Sequence, residues 1–577
     1  MKFFHVYNER SFKGLEVNNM LNKDSGFKIQ HIYRLPQEIK FNELAKKGGK
    51  LHSMIKENNI PFYVDRIAGG TVYHYYKFDK DLVDEYKNLL GDWFLGFQLH
   101  ESGSNRKQDW DRIVEKTGSK GPHTKEQIYE ALKSNIYFHP DGTPYAYLSQ
   151  EDEGTMAKLK YPETHQEFIE DMTNMFKRRM ADSYNNIIPC DSYYLASKIQ
   201  NDMGMNTFMP EVGCQIAQMR VAVALARGMA NVANKTWGVY YECWRELRGV
   251  GYCMPCFNNE LLNEWYNRQV PGSDDFTSYG VNGGSSRILQ DRIYNYALMA
   301  GADYFSEEWG LNCSYSDMFD FTLSDYGKLK KQFIDRAVEM QGVKAKVPFA
   351  IVLPNKYSCI EIFDMFHEWE FGKVRDIYLE YKLTASEKEY FGHIENVLKF
   401  VYAKYGEEYG NEGHVMSNSR FGDLFDIVYE DADETKLSKY DYLIDATPES
   451  AFIKAKQNSS LKILASTDFD KLGQDIERLA KEIMPVYVDG LHWVVSTDEK
   501  GRNFLTIFNN EGNERCIHKG DIIHDEADRV VKVEFKNSTE LKVLYDALRV
   551  KNAKVEKVDD KTYNVLVPAA GYVILEF

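Results

Sequence analysis

The chain has 577 residues, 43% hydrophobic and 14% aromatic, with 71 Lys and Arg against 87 Asp and Glu and a net charge of −16. That length exceeds what one core serves and predicts a large unit with smaller companions, while the acidic balance argues against a nucleic-acid partner. No apolar stretch reaches the roughly 20 residues of a membrane span, so no membrane partner is expected, and Met-Lys-Phe-Phe-His-Val-Tyr leads straight into a strand, which predicts a cytoplasmic protein unless a leader has been removed. Eight scattered cysteines fit reduced thiols better than a disulfide framework.

Short apolar segments alternate with helix-sized spacers from Phe3 to Glu308. Strands are predicted over Phe3–Asn8, Lys28–Tyr33, Pro61–Asp65, Trp93–Glu101, Asp191–Ala196, Thr207–Pro210, Thr236–Glu242 and Ala302–Ser306. Helices are predicted between them at Leu15–Leu21, Phe41–Asn58, Lys80–Leu90, Gln166–Tyr184, Gln215–Ala233 and Arg287–Ala300, with Leu323–Met340 closing the ring. Eight such repeats predict an α/β fold, a (β/α)8 TIM barrel over 1–342, whose active site belongs at the C-terminal ends of the strands. Two polar insertions, from Glu101 to about Tyr161 and from Gly249 to Gly284, are expected to shape a cleft.

Beyond Gly342 the apolar strands Pro348–Pro354, Phe425–Tyr429, Tyr442–Asp445 and Lys462–Ala465 lie between helical stretches, which predicts an α/β Rossmann-like domain over 343–484. From 485 to 577 the period changes. Leu505–Asn510, Val531–Phe535, Tyr563–Val567 and Tyr572–Phe577 alternate in the manner of a C-terminal β-sandwich.

Two barrel strands end in a glutamate, Glu101 on the fourth and Glu242 on the seventh. Hydrolysis of a glycosidic bond needs two carboxyl groups, one to protonate the leaving oxygen and one to attack carbon or activate water; the pair stands roughly 5–5.5 Å apart in retaining enzymes and roughly 6.5–9.5 Å in inverting ones. Glu101 is the expected acid/base and Glu242 the expected nucleophile. Around them Asp65, Arg66, His100, Glu211, Tyr241, Trp244, Glu307 and Trp309 are candidate substrate ligands. Trp309 offers a stacking platform, Tyr241 a hydroxyl for the nucleophile, and Asp65 with Arg66 either a sugar contact or an ion pair. The period does not decide between Glu307 and Glu308.

Cys253-Met254-Pro255-Cys256 has the spacing of a zinc knuckle that Cys243 and Cys214 could join, but a matching second pair is absent. Neither a His-x-His pair after the first strand nor His-Glu-x-x-His occurs, so no metal and no cofactor is expected. No Gly-x-Ser-x-Gly elbow and no phosphate loop is present.

The segment Leu95-Gly96-Phe97-Gln98-Leu99-His100-Glu101 resembles the fourth-strand motif of the 4/7 (clan A) superfamily of retaining glycosidases, especially the family 42 β-galactosidases, where it ends Gly-Trp-Gln-x-x-Asn-Glu. Gly96, Gln98 and Glu101 match; Phe97 replaces the tryptophan and His100 the asparagine. Leu323–Lys328, Val347–Pro354, Asp423–Pro448 and Val565–Phe577 are similar to that family's last barrel helix, its trimerisation-type domain and its closing strand. The resemblance implies a distant relative that hydrolyses β-linked, galactoside-like sugars through a covalent intermediate, with an oligosaccharide or glycoside as partner and a trimer or dimer as assembly. Two alternatives keep the barrel: a carbohydrate-binding protein without turnover, favoured by His100, or an inverting enzyme pairing Glu101 with Glu211 or Glu307.

Overall fold

The computed structural model describes the chain apart from residues 8, 30–36, 69–77, 133–159, 192–196, 214–218, 244, 248–250, 254–283, 309–313, 317–318, 356–383, 403–414 and 517–519, and apart from some side chains within helices and strands, Arg66 and Cys253 among them. Eight parallel strands close a barrel: β1 Lys2–Val6, β2 Ser25–Ile29, β3 Phe62–Ala68, β4 Phe94–His100, β5 Ile187–Asp191, β6 Thr207–Gly213, β7 Thr236–Glu242 and β8 Tyr304–Glu307. Closure is made by β1 pairing with both β2 and β8.

Residues alternate between the two faces of each strand. Phe4, Tyr63, Leu95, Ile188, Cys190, Met209, Tyr240 and Tyr304 meet inside the barrel. Their neighbours Phe3, Val64, Phe97, Val239, Tyr241 and Phe305 pack outward against the helices. The interior is therefore a packed core, with its chemistry confined to the rim. The helix Lys80–Leu90 falls on its predicted residues because Asp79 accepts from the Asp81 and Leu82 amides at its start and Gly91, at φ +55°, ends it.

Strand two lies at Ser25–Ile29 rather than Lys28–Tyr33 and the first helix at Glu9–Val17 rather than Leu15–Leu21, and three further expectations change. Strand five lies at Ile187–Asp191 and not Asp191–Ala196, of which 192–196 are outside the described residues. Pro189 disguised it, yet a missing N–H costs the ladder one donor only, and Pro189 pairs with Leu99. The single helix expected over Phe41–Asn58 is two, Gln37–Leu44 and Lys50–Asn58, interrupted at Gly48-Gly49. The insertion after Glu101 opens with two helices, Ser102–Thr117 and Lys125–Leu132, before it leaves the described residues.

After the barrel, Phe425–Tyr429, Phe349–Leu353, Tyr442–Asp445 and Ile463–Ala465 form a four-stranded parallel sheet in that order. Two larger antiparallel sheets and a two-stranded ribbon, Asn513–Cys516 with Gly520–Ile523, follow within Val486–Glu576, and one of the larger sheets recruits Lys344–Ala345 from the end of the barrel region. Polar contacts tie these parts to the barrel. Arg227, on the barrel helix Met219–Ala233, reaches Asp423 at 3.0 Å and Asp426 at 2.6 Å. The helix Arg287–Met299 is buried along its whole length, and Tyr572 of the closing strand bonds its Asp291 and Asn295, each at 2.9 Å. Among the described residues no helix is long and apolar enough to cross a membrane.

Candidate active site

The inward positions at the C-terminal ends of the strands are almost all polar. Above the interior layer, whose Cys190 on β5 pairs in register with His100, come Lys28 on β2, Asp65 on β3, His100 on β4, Glu211 on β6 and Glu242 on β7, all buried. Glu308, one residue past β8, joins them and is also buried. A cluster of carboxylates at this end of a barrel is where substrate chemistry is expected.

His100 is the hub. Its Nε2 lies 3.5 Å from Glu101 Oε1, 3.7 Å from Glu211 Oε1 and 3.8 Å from Glu308 Oε1. The Tyr240 ring stands edge-on to the imidazole at 5.6 Å between centroids. The structure thus brings together Glu101, His100 and Glu211 as expected site residues, and adds Glu308.

Glu101 leaves the strand line. Its backbone is left-handed at φ +44°, ψ +50°, and the helix Ser102–Thr117 starts directly behind it. A non-glycine residue in that region is strained by roughly 1–3 kcal/mol, and such strain gathers at functional positions. The helix holding it there is anchored by Arg106, whose guanidinium donates to Asp171 at 2.8 and 2.5 Å, and by Trp110 Nε1, which donates to the same carboxylate at 3.0 Å. Glu101 keeps 26% of its side chain exposed, against 1% for Glu211 and Glu308. It is therefore the carboxylate of this cluster within reach of solvent.

Glu242 is two residues past the inward Tyr240 and shares its face. Gly213, its register partner on β6, supplies the room: a Cβ there would lie 2.4 Å from the Glu242 carbonyl oxygen and 2.6 Å from its Cβ. Gly96 is required on β4 for a different reason, since its φ is +102° and a Cβ would meet the Asn186 carbonyl oxygen at 2.3 Å.

Asp65 forms an ion pair with Lys28, and the side chain of Arg66, named beside it as a candidate, lies outside the described residues. Lys28 Nζ donates to Asp65 Oδ2 at 2.9 Å and to the Glu307 carbonyl at 2.6 Å, with the Tyr240 ring 4.9 Å beneath it. Tyr240 Oη donates to Asp65 Oδ1 at 3.1 Å. One extra residue on β3 between Val64 and Ile67, relative to β4, aims Asp65 at this pair. Burial, with the Asp65 charge adding to it, pushes the Tyr63 hydroxyl far above its ordinary pKa, so Tyr63 stays neutral and shares a hydrogen bond with Ser306 at 2.7 Å.

Two expected ligands face the other way. Glu307 turns its carboxylate outward to Tyr294, to Tyr326 at 2.7 Å and to Lys330 at 2.7 Å. Tyr241 also points outward, its hydroxyl bonded to Ser285 and its ring stacked on Tyr326. Neither side chain meets the His100 cluster, because each sits on the odd face of its strand. Trp244 and Trp309 lie outside the described residues, as do Cys214 and Cys256. Cys243 Sγ donates to the Glu308 carbonyl at 3.1 Å.

Sequence reasoning passed over Lys28 and Cys190. The signal for Lys28 was a lone cation between Phe27 and Ile29, an expensive placement unless a buried carboxylate receives it. At the opposite end of the barrel a cavity of about 900 Å³ opens among Gly91, Asn206, Trp237, Asp303 and Lys344. These residues border strand N-termini, the end of the barrel associated with stability rather than chemistry.

No protein-family model matches the chain, and no curated protein is similar to it. Among solved structures it is similar to the catalytic module of a family 98 glycoside hydrolase from Streptococcus pneumoniae TIGR4, at 9% identity and a TM-score of 0.38 over 100% of this chain and 98% of that one. It is similar to alpha-L-fucosidase isoenzyme 2 from Paenibacillus thiaminolyticus at 9% identity and a TM-score of 0.42, covering 99% and 96%. An alpha-amylase from H. orenii aligns at 9% identity with a TM-score of 0.16 over 89% of each chain. The TM-scores of these three are all below 0.5, and the likeness carries no argument about function.

Proposed function

We propose that the protein is a glycoside hydrolase with Glu101 and Glu242 as its reacting pair. The observation that carries this reading is their placement at the C-terminal ends of β4 and β7 of one closed barrel, with Glu101 strained and solvent-accessible and Glu242 buried. Glu101 protonates the glycosidic oxygen as the Glu242 carboxylate attacks the anomeric carbon, so the C–O bond breaks and a glycosyl ester forms. Glu101 then takes a proton from water, which attacks the same carbon and releases Glu242. In this reading His100, beside Glu101, Glu211 and Glu308, donates to a sugar hydroxyl where the family 42 motif has asparagine. A β-linked, galactoside-like substrate and a trimeric assembly belong to the same reading through that resemblance.

One observation favours a second reading. Glu101 Oε1 and Glu211 Oε1 lie 3.5 and 3.7 Å from one atom, His100 Nε2, so their separation is at most the sum of those distances, about 7 Å, a range that admits Glu211 as the partner of Glu101, with the role of base for water if the reaction inverts. Turnover of a panel of aryl α- and β-glycosides tests both. The first reading expects one β-glycoside to be hydrolysed, with activity lost in Glu242→Ala and restored by azide. The anomer first released, followed by NMR, separates retention from inversion. Turnover surviving both Glu101→Ala and Glu242→Ala would reject the pair.

A further inference from the structure

His100, Cys190 and Glu211 project inward from the adjacent strands β4, β5 and β6. His100 and Cys190 are register partners, and Cys190 in turn pairs with Met209, two residues before Glu211. One imidazole nitrogen, the thiol sulfur and one carboxylate oxygen all lie within 4.8 Å of one another, and all three residues are buried.

The spacing is informative. The 3.7 Å between His100 Nε2 and Glu211 Oε1 exceeds the roughly 2.7–3.2 Å of a hydrogen bond. It approaches the roughly 3.3–3.6 Å that separates two ligands held tetrahedrally at ordinary zinc–nitrogen, zinc–oxygen and zinc–sulfur lengths. Glu101 Oε1 and Glu308 Oε1 stand 3.5 and 3.8 Å from the same nitrogen, where either carboxylate, or a water held by one, completes a fourth position.

We propose that His100, Cys190 and Glu211 form a binding site for one divalent transition ion, with Zn²⁺ as the favoured occupant. The donor set selects the class: a thiolate disfavours Mg²⁺ and Ca²⁺, and imidazole with thiolate and carboxylate suits the borderline ions. Charge agrees, because the thiolate and the Glu211 carboxylate together cancel a dication inside a buried cluster. On binding, the Cys190 thiol proton passes to solvent as the sulfur–metal bond forms, so uptake weakens as pH falls. The proposal shares His100 and Glu211 with the site of the glycosidase reading but does not rest on that reading, and its readouts do not involve turnover.

The test uses the full chain, stripped with a chelator and titrated with Co²⁺ as a spectroscopic probe. One equivalent is expected to bind with a thiolate-to-cobalt charge-transfer band that Zn²⁺ displaces. Cys190→Ser and His100→Gln should abolish the band, while Cys253→Ser/Cys256→Ser keeps it. Zn²⁺ X-ray absorption of the wild type should show one sulfur at about 2.3 Å and the remaining ligands at about 2.0–2.2 Å, which decides the matter even if a variant fails to fold. Absence of uptake, a shell without sulfur or with two sulfurs, or a band that survives Cys190→Ser in folded protein would overturn the proposal.

Discussion

Glu307 and Glu308 are adjacent in the chain and face opposite sides of the barrel wall: Glu307 is paired with Lys330 among the helices, and Glu308 stands 3.8 Å from His100 in the mouth. Glu307→Gln leaves the buried Lys330 ammonium without its counter-charge and is expected to cost about 3–5 kcal/mol of stability, read as a lower urea midpoint. Glu308→Gln should leave that midpoint nearly unchanged and lower kcat/KM on the best aryl glycoside by about tenfold, roughly 1.4 kcal/mol. Equal shifts of urea midpoint and of kcat/KM in the two variants would contradict the assignment of faces.

The left-handed backbone at Glu101 separates strain from chemistry. Glu101→Gly and Glu101→Ala both remove the carboxylate, so both should lose turnover under the proposed function. Glycine adopts φ +44° without the Cβ penalty, and Glu101→Gly should therefore be the more stable of the two by about 1–2 kcal/mol. Denaturant melts of the two proteins provide the comparison.

Gly213 bears on the proposed nucleophile through space alone. In Gly213→Ala the new methyl must displace the Glu242 backbone, so kcat should fall while far-UV circular dichroism still reports a folded barrel. Wild-type kcat in a folded Gly213→Ala protein would show that the position of Glu242 does not matter.

Acid should weaken the joint between the barrel and the C-terminal sheets. Burial holds the His492 imidazole well below its ordinary pKa, and Arg220, Arg227 and Arg292 add to the effect; His5 is depressed by burial and by Lys330. The unfolded chain takes up these protons near pH 6.5 while the folded one does not, so stability is full above about pH 6.5 and declines below it by up to about 1.4 kcal/mol per pH unit for each histidine. His492→Gln should flatten the fall in urea midpoint between pH 6.5 and 5. An unchanged slope would locate the acid sensitivity elsewhere.

The local pattern of the chain was enough to read the eightfold alternation, the Glu101 and Glu242 strand ends, and the further short strands beyond Gly342 and after 485. Each of these rests on hydrophobic period, and period is a property of neighbours in sequence. The helix Lys80–Leu90 was equally legible, because its cap residues sit beside it. Tertiary structure decided the rest. Whether Glu307 or Glu308 faces inward depends on how β8 is set against β1 and β7, and a one-residue shift exchanges the faces. Lys28 meets Asp65, and Cys190 meets His100 and Glu211, only because barrel closure brings distant strand ends to one level, which no local pattern encodes.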